Sequence, residues 1–298
     1  MAGRTPDDSG GREQEFLAHR RLVFTIAYDV TGSVSDAEDV VQETWLRYAA
    51  VPRPTDHPRA YLARIASRQA LNAVRTAARR REEYPGEWLP EPLPTGQESS
   101  DQSDPEASAL TRAEVSMAML VLLQQLGGPE RVALVLRDVF GFGYAEIGSI
   151  LDSSVAAVRQ TVHRAREKVR SGSPRSAPDK AEHRAAVERF LQAALTGQTQ
   201  ALLEVLAPDV VLHSDGGGKV SAARRPVYGA EKVAALLLGL AAKFGEGAAP
   251  EFVELNGLPA VAFREDGSVT TVFQLEWENG LVTGVYAMRN PDKLLRLQ

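Results

Sequence analysis

The 298-residue sequence has no cysteine, which excludes disulfides, thiolate metal sites and a cysteine nucleophile together. Nor does it have an apolar run near the roughly 18 residues that a membrane-spanning helix requires. Met1–Gly11 is polar, unlike the charged-then-apolar pattern of a secretory leader. A soluble, cytoplasmic chain with no cofactor is therefore expected. No internal repeat is visible, so a solenoid is not expected, and the length suits two to three domains.

The net charge of −5 looks wrong for a nucleic-acid partner until it is divided along the chain. Lys and Arg number 13 against 12 Asp and Glu in residues 1–86, none against 6 in 87–109, 8 against 6 in 110–172, and 13 against 15 in 173–298. The acidity lies in one intervening segment and at the C-terminal side. Local clusters at Arg75, Arg79, Arg80 and Arg81, and from Arg159 through Arg170, supply phosphate attraction that the global charge hides.

Tyr144–Arg170 carries the clearest motif. Ile147, Ile150 and Leu151 mark one side of a first helix, a break follows at Asp152-Ser153, and Ser154 is placed to cap the next helix. There Val155, Val158, Val162, Ala165 and Val169 form a narrow core-facing stripe. Ala156, Gln160, His163 and Arg164 fall on the opposite face, with Arg159, Arg166 and Arg170 on its flank. This is the pattern of a helix-turn-helix, whose second helix enters a groove where small residues permit close approach and long polar groups reach bases. The plainer alternative is an amphipathic helix with a solvated basic face.

Residues 14–84 read as almost continuous helix, interrupted at Thr31-Gly32-Ser33 and Val51–Pro54. Residues 85–109 hold five prolines, six carboxylates and no cation, a composition expected to form a linker, not a core. Helices return from Leu110 to Arg170, and a second linker covers 171–179. From there helices near 180–195, 199–206 and 230–244 combine with short alternating segments at 209–213, 251–256, 260–264, 269–278 and 281–289. That mixture predicts an α+β domain whose curved antiparallel sheet bounds a pocket.

Three ordered segments resemble an extracytoplasmic-function (ECF) sigma factor of bacterial RNA polymerase. DAEDVVQETWLRYA, Asp36–Ala49, is similar to the helix that docks on the polymerase. Its Ala37, Val40, Val41, Thr44 and Tyr48 form a buried stripe, and Asp36, Glu38, Asp39, Gln42, Glu43 and Arg47 are left for the partner. YLARIASRQALNAVRTAARRR, Tyr61–Arg81, is similar to the segment that recognises and melts the −10 element. The resemblance implies nucleic-acid contacts from Arg64, Arg68, Asn72 and Arg75, with phosphate held by Arg79, Arg80 and Arg81. Gln124–Arg166 is similar to the −35-binding region, which implies that Ala156, Arg159, Gln160, His163, Arg164 and Arg166 face duplex DNA. Asp152 stands where the family commonly has a turn glycine, and Arg68 and Asn72 stand where it commonly has Asn and Asp.

The C-terminal part resembles a SnoaL-like, NTF2-type cone. Together with WLPEPL at Trp88–Leu93, DGGGK at Asp215–Lys219 and NPDKL at Asn290–Leu294, it points to the ECF41 or SigJ-like group. The implied organisation is two all-α sigma domains, 1–86 and 110–172, the second with the helix-turn-helix. An acidic proline-rich linker, 87–109, lies between them, and an α+β regulatory domain, 173–298, follows. The implied partners are the polymerase core (β and β′ subunits) and promoter DNA.

WLPEPL places a stiff apolar motif in acidic surroundings. Tryptophan is a common anchor and proline limits the entropy lost on docking. Trp88, Leu89, Pro90, Glu91, Pro92 and Leu93 are therefore expected to pack beside Asp215, Gly216, Gly217, Gly218 and Lys219, where three glycines permit close backbone approach. A solvated spacer and an ordinary glycine hairpin loop are the alternatives. Two rival functions remain open at this point. One is a cone that binds a small molecule or transfers protons through His213 and Asp215. The other is a simple helix-turn-helix regulator that has no use for Asp36–Ala49 or Tyr61–Arg81.

Overall fold

The computed structural model describes residues 7–51, 55–95, 115–170, 180–244 and 249–298. They group into two compact units. One is built from residues up to Arg80 together with Leu122 onwards to Arg170; the other comprises residues 81–95, Val115–Val121 and everything from Lys180.

In the first unit α1 (Asp7–Thr31), α2 (Val34–Ala49) and α3 (Pro58–Glu82, up to Arg80 in this unit) follow one another. Helix α2 begins where the Ser33 hydroxyl accepts from the Asp36 N–H at 3.3 Å. It buries Ala37, Val40, Val41, Thr44 and Tyr48, the stripe that its 3.6-residue period predicts. Arg12 of α1 donates to the carbonyls of Ala49 at 3.3 Å and Val51 at 2.5 Å, satisfying acceptors that the end of α2 leaves open. The Tyr48 hydroxyl donates to the Glu15 carboxylate.

After the α4 helix (Met117–Gln124) come α5 (Gly128–Leu134), a π-turn at Val135–Val139, α6 (Tyr144–Leu151) and α7 (Val155–Arg170). Arg131, only 3% exposed, fixes α5 by donating to the carbonyls of Val30 at 2.5 Å and Leu126 at 3.1 Å, and to Gln124 Oε1 at 2.8 Å. A buried guanidinium is tolerated when several acceptors converge on it in this way.

In the second unit β1 (Leu206–Asp215), β2 (Val227–Tyr228), β3 (Ala249–Leu255), β4 (Leu258–Glu265), β5 (Ser268–Glu278) and β6 (Leu281–Met288) form a sheet in the order β2-β1-β6-β5-β4-β3. Only the β1–β6 pairing is parallel. The three hairpins turn on Asn256-Gly257, Asp266-Gly267 and Asn279-Gly280. Both residues of each pair have φ between +50° and +88°, the backbone that two-residue hairpins need.

The sheet is covered on both faces. Phe263, Phe273 and Val285 share a core with Val187 and Phe190 of α8 (Lys180–Leu195), Leu202 of α9 (Thr199–Val205) and Leu237 of α10 (Ala230–Phe244). Residues of opposite parity, Ala260, Ala262, Val272 and Met288, point the other way, where Leu89, Met117 and Leu294 cover them. Leu89 belongs to the segment expected to be a linker. Residues 85–95 instead run across the sheet as a strap, with Leu89 1% exposed and Pro90 and Pro92 buried. The acidic composition failed as a guide because the apolar WLPEPL core has a sheet to bury against. The rest of that segment, 96–109, and the linker at 171–179 lie outside the described residues.

Candidate functional site

The turn between α6 and α7 is tight. A Cβ on Gly148 would sit 2.7 Å from the Ser153 carbonyl oxygen. Asp152 occupies the left-handed region at φ +52°, which Asp tolerates better than most side chains. Ser154 Oγ accepts from the Ala157 N–H at 3.2 Å, the cap that the sequence predicts. Val158, Val162, Ala165 and Val169 are buried, and Ala156, Arg159, Gln160, His163 and Arg164 are exposed together. Val155, expected in the core stripe, is 39% exposed. Arg166, expected on DNA, grips Asp138 of the π-turn with Nε at 3.0 Å and with its Nη2. Lys168 holds Glu130 at 2.8 Å, which with the Gly127 N–H keeps that carboxyl below its ordinary range. These two pairs fasten the C-terminal end of α7, and Ala156, Arg159, Gln160, His163 and Arg164 stay outside them on the exposed face.

On α3, Arg64 lies 3.7 Å from the Asp152 carboxylate and Arg68 is bonded to it. Asn72 and Arg75 are exposed, whereas the side chains of Arg79 and Arg80 lie outside the described residues. The guanidinium carbon of Arg81 lies 3.8 Å from the centre of the Trp88 ring, because an aromatic face attracts a cation. On α2, Asp39, Gln42 and Arg47 are exposed and Asp36, Glu38 and Glu43 partly so, with Glu43 and Arg47 bridged at 2.6 Å.

The strap converges on Asp215, which is fully buried. Asp215 Oδ1 accepts from the Tyr84 hydroxyl at 2.6 Å and the Gly217 N–H at 2.9 Å; Oδ2 accepts from the Leu89 N–H at 2.9 Å and Lys293 Nζ at 2.8 Å. Lys293 also donates to the Leu89 carbonyl at 2.5 Å and lies 4.0 Å from the centre of the Trp88 ring. Burial pulls the Lys293 ammonium down to about 8, although Asp215 opposes the shift. Burial, reinforced by Asp215, pushes the Tyr84 phenol well up.

The DGGGK glycines make room for this arrangement. A Cβ on Gly217 would meet the Asn290 amide at 2.5 Å and one on Gly218 would meet Pro85 at 2.4 Å, and both residues have φ above +60°. Lys219 pairs outward with Asp292 at 2.6 Å. At the far end of the strap the Leu93 carbonyl accepts from the Asn256 N–H at 2.8 Å, and the Thr95 N–H donates to the Glu254 carbonyl at 2.9 Å. The structure thus brings WLPEPL and DGGGK together. It adds Tyr84, Glu87, Asn290 and Lys293, of which the last two lie within the NPDKL phrase.

His213 and Asp215, the candidate acid–base pair, are both engaged by the strap. His213 Nδ1 lies 2.6 Å from Glu87 Oε1, and its ring stacks on Tyr286, whose hydroxyl lies 3.2 Å from Glu276 Oε2. Burial raises the Glu276 carboxyl. On the helix-covered face a space of about 50 Å³ is lined only by apolar side chains, among them Phe190, Leu237 and Phe263. It offers no polar side chain to orient a ligand. Among the described residues no cluster of His, Asp and Glu suits a metal ion, and no helix is long and apolar enough to cross a membrane.

A helix-turn-helix with an exposed cationic face, preceded by a second arginine-rich helix and followed by an α+β sheet domain, defines a modular DNA-binding transcription protein. Residues 16–80 match Sigma-70 region 2 and residues 116–169 match Sigma-70, region 4. The ECF RNA polymerase sigma factor SigJ of Mycobacterium tuberculosis is 37% identical, with 94% of this chain and 92% of that protein covered. The probable ECF sigma factor SigI of the same species is 30% identical over 93% of this chain and 92% of its own. The crystal structure of SigJ matches with a TM-score of 0.75 at 34% identity, covering 94% of this chain and 97% of that one. The chain belongs to the ECF RNA polymerase sigma factors.

Proposed function

We propose that this chain carries RNA polymerase core to a defined set of promoters and that its C-terminal domain regulates the step from within the chain. In this reading α2 meets the β and β′ subunits through Asp36, Glu38, Asp39, Gln42, Glu43 and Arg47. Helix α7 reads the −35 duplex through Ala156, Arg159, Gln160, His163 and Arg164, and Arg166 positions that helix through Asp138. Helix α3 holds the opened −10 strand with Arg64, Arg68, Asn72 and Arg75, joined by Arg79 and Arg80. Residues 1–86 and 110–172 act as the two promoter-binding domains, and 173–298 as the regulatory domain. The strap belongs functionally to the last of these.

The observation that carries the regulatory part is the fourfold use of the Asp215 carboxylate, three of whose partners hold or belong to the strap. While the strap is seated, Arg81 rests on Trp88 and is withdrawn from phosphate. Unseating it returns one cation to the −10 helix. Run-off transcription with the full chain, with truncations after about Ser173 and about Arg225, and with Trp88→Ala tests this reading. Trp88→Ala should raise transcription while −35 duplex binding stays level. Equal transcription from full chain and Trp88→Ala rejects the regulatory part, and failure of the full chain to bind polymerase core rejects the whole.

A further inference from the structure

The first unit contains a contact whose two sides are both assigned to promoter DNA. Asp152 stands at the tip of the turn that aims the −35 reading helix. Its carboxylate takes Arg68 directly and has Arg64 at 3.7 Å, and both arginines lie on the proposed −10 face of α3. The three side chains are solvent-accessible, 40% for Arg64, 44% for Arg68 and 70% for Asp152. The contact is therefore not a packed seam of the fold. The packing between these parts of the unit rests on other groups: Arg131 on the Val30 carbonyl, Arg59 on the Phe140 carbonyl at 3.0 Å and over the Phe142 ring at 4.4 Å, and Gly128 against Leu71.

We propose that Asp152 is an electrostatic self-mask, a carboxylate that occupies the −10 arginines in the free protein and is displaced by nucleic-acid phosphate. The inference rests on the assignment of Arg64 and Arg68 to the −10 strand. A carboxylate and a phosphate compete for the same guanidinium fork, so Arg68 satisfies one at a time. An exposed ion pair is weak and screened by salt, which suits a mask that a polyanion must remove, whereas a buried apolar seam would resist removal. The mask also ties the two readers together. While Asp152 holds α3, the −35 turn and the −10 face obstruct each other, and the first DNA contact at either one frees the other. Protein without DNA is thereby kept from binding single strands indiscriminately.

The test uses the full chain and a labelled random-sequence single-stranded 12-mer, followed by anisotropy between 50 and 300 mM salt. Asp152→Asn removes the charge while keeping a residue that accepts the left-handed backbone. It should tighten binding by about threefold to tenfold at the lowest salt, and the gain should fade as salt rises. It should also steepen the dependence of log affinity on log salt by up to about one ion, because the freed arginine then releases its own counterion on binding. The gain should vanish when Asp152→Asn is combined with Arg64→Ala and Arg68→Ala. Equal binding by the wild type and Asp152→Asn at every salt overturns the mask. A gain that survives in the triple variant also overturns it, since Asp152 would then merely repel DNA. If Arg64→Ala and Arg68→Ala leave binding unchanged, it is the −10 assignment itself that fails.

Discussion

Asp215, fully buried, and Lys293, largely buried, form an ion pair at 2.8 Å, and the Leu89 peptide is clamped between them, its N–H on the carboxylate and its carbonyl on the ammonium. Charge–charge attraction is here coupled to a backbone segment. Losing either side chain strips Leu89 of one hydrogen bond and leaves the other charge buried without its counterpart. Breaking such a pair from one side costs about 3–5 kcal/mol. Asp215→Asn should destabilise the C-terminal domain by an amount near the lower figure and expose the Tyr84–Thr95 strap to protease. A double-mutant cycle with Lys293→Met measures the coupling. The double variant should be less destabilised than the sum of the singles, and strict additivity would remove the clamp from the argument.

The same lysine gives the domain a pH signature. Its value of about 8 in the folded state lies below the unfolded 10.5, so between those limits the unfolded chain binds more protons than the native one. Folding stability contributed by this group therefore rises with pH across about 8 to 10.5. The Tyr84 phenol, raised by burial and Asp215, contributes stability that is intact below its unfolded value near 10 and is lost only above it. Between pH 8 and 10 the lysine effect stands clear. Thermal unfolding of the full chain over that interval should show the rise, and Lys293→Met should flatten it. A slope that persists in the variant would assign it to another group.

The DGGGK loop should be intolerant for two separable reasons. Gly218→Ala meets both a left-handed backbone and the Pro85 ring at 2.4 Å, whereas Gly280→Ala on the β5–β6 turn meets a left-handed backbone with open space around it. The turn substitution is expected to cost about 1 kcal/mol, and the loop substitution more than that, up to about 3 kcal/mol. With Trp45 and Trp277 replaced by Phe so that Trp88 alone emits, only the loop substitution should shift the fluorescence, because only there does the added methyl push on the strap. Identical spectra for both variants would show that Gly218 does not support the strap.

The helical stripes were legible because helix burial follows a 3.6-residue period. Ala37, Val40, Val41, Thr44 and Tyr48 in α2, and Val158 through Val169 in α7, are buried as that period requires. Val155 was not legible: the same period places it on the stripe, yet it is exposed, as burial depends on tertiary neighbours that no local pattern encodes. The strap was legible in part: WLPEPL announced a docking motif, while the composition of the segment around it pointed to a linker. Six carboxylates and five prolines describe an average over 85–109, whereas burial is decided by a few apolar residues meeting a sheet more than a hundred residues away. The Asn-Gly and Asp-Gly pairs at 256, 266 and 279 close the three hairpins with a left-handed backbone at both positions. Arg81 read as one more phosphate ligand in a basic run because its aromatic partner, seven positions on, lies beyond the end of the helix. The fork of Arg166 was equally hidden, as its partner Asp138 comes from the π-turn.

That last pairing separates two kinds of cation on α7, the helix proposed to read the −35 duplex. Arg159 is exposed with its guanidinium 5.4 Å from the Tyr144 ring, a stacking that orients it without consuming its donors. Arg166 has both arms on Asp138. Arg159→Ala should weaken binding to the cognate −35 duplex by about 1–3 kcal/mol and relax the preference at one base position, as loss of a base contact does. Arg166→Ala and Asp138→Asn should behave like each other: each loosens the seat of α7, lowering affinity modestly on cognate and unrelated duplexes alike and leaving the base preference in place. Their double variant should be no worse than either single one. Selection of bound sequences from a randomised duplex pool reads all four proteins in one experiment. A changed base preference in Arg166→Ala that Asp138→Asn does not share would return Arg166 to the DNA-reading set.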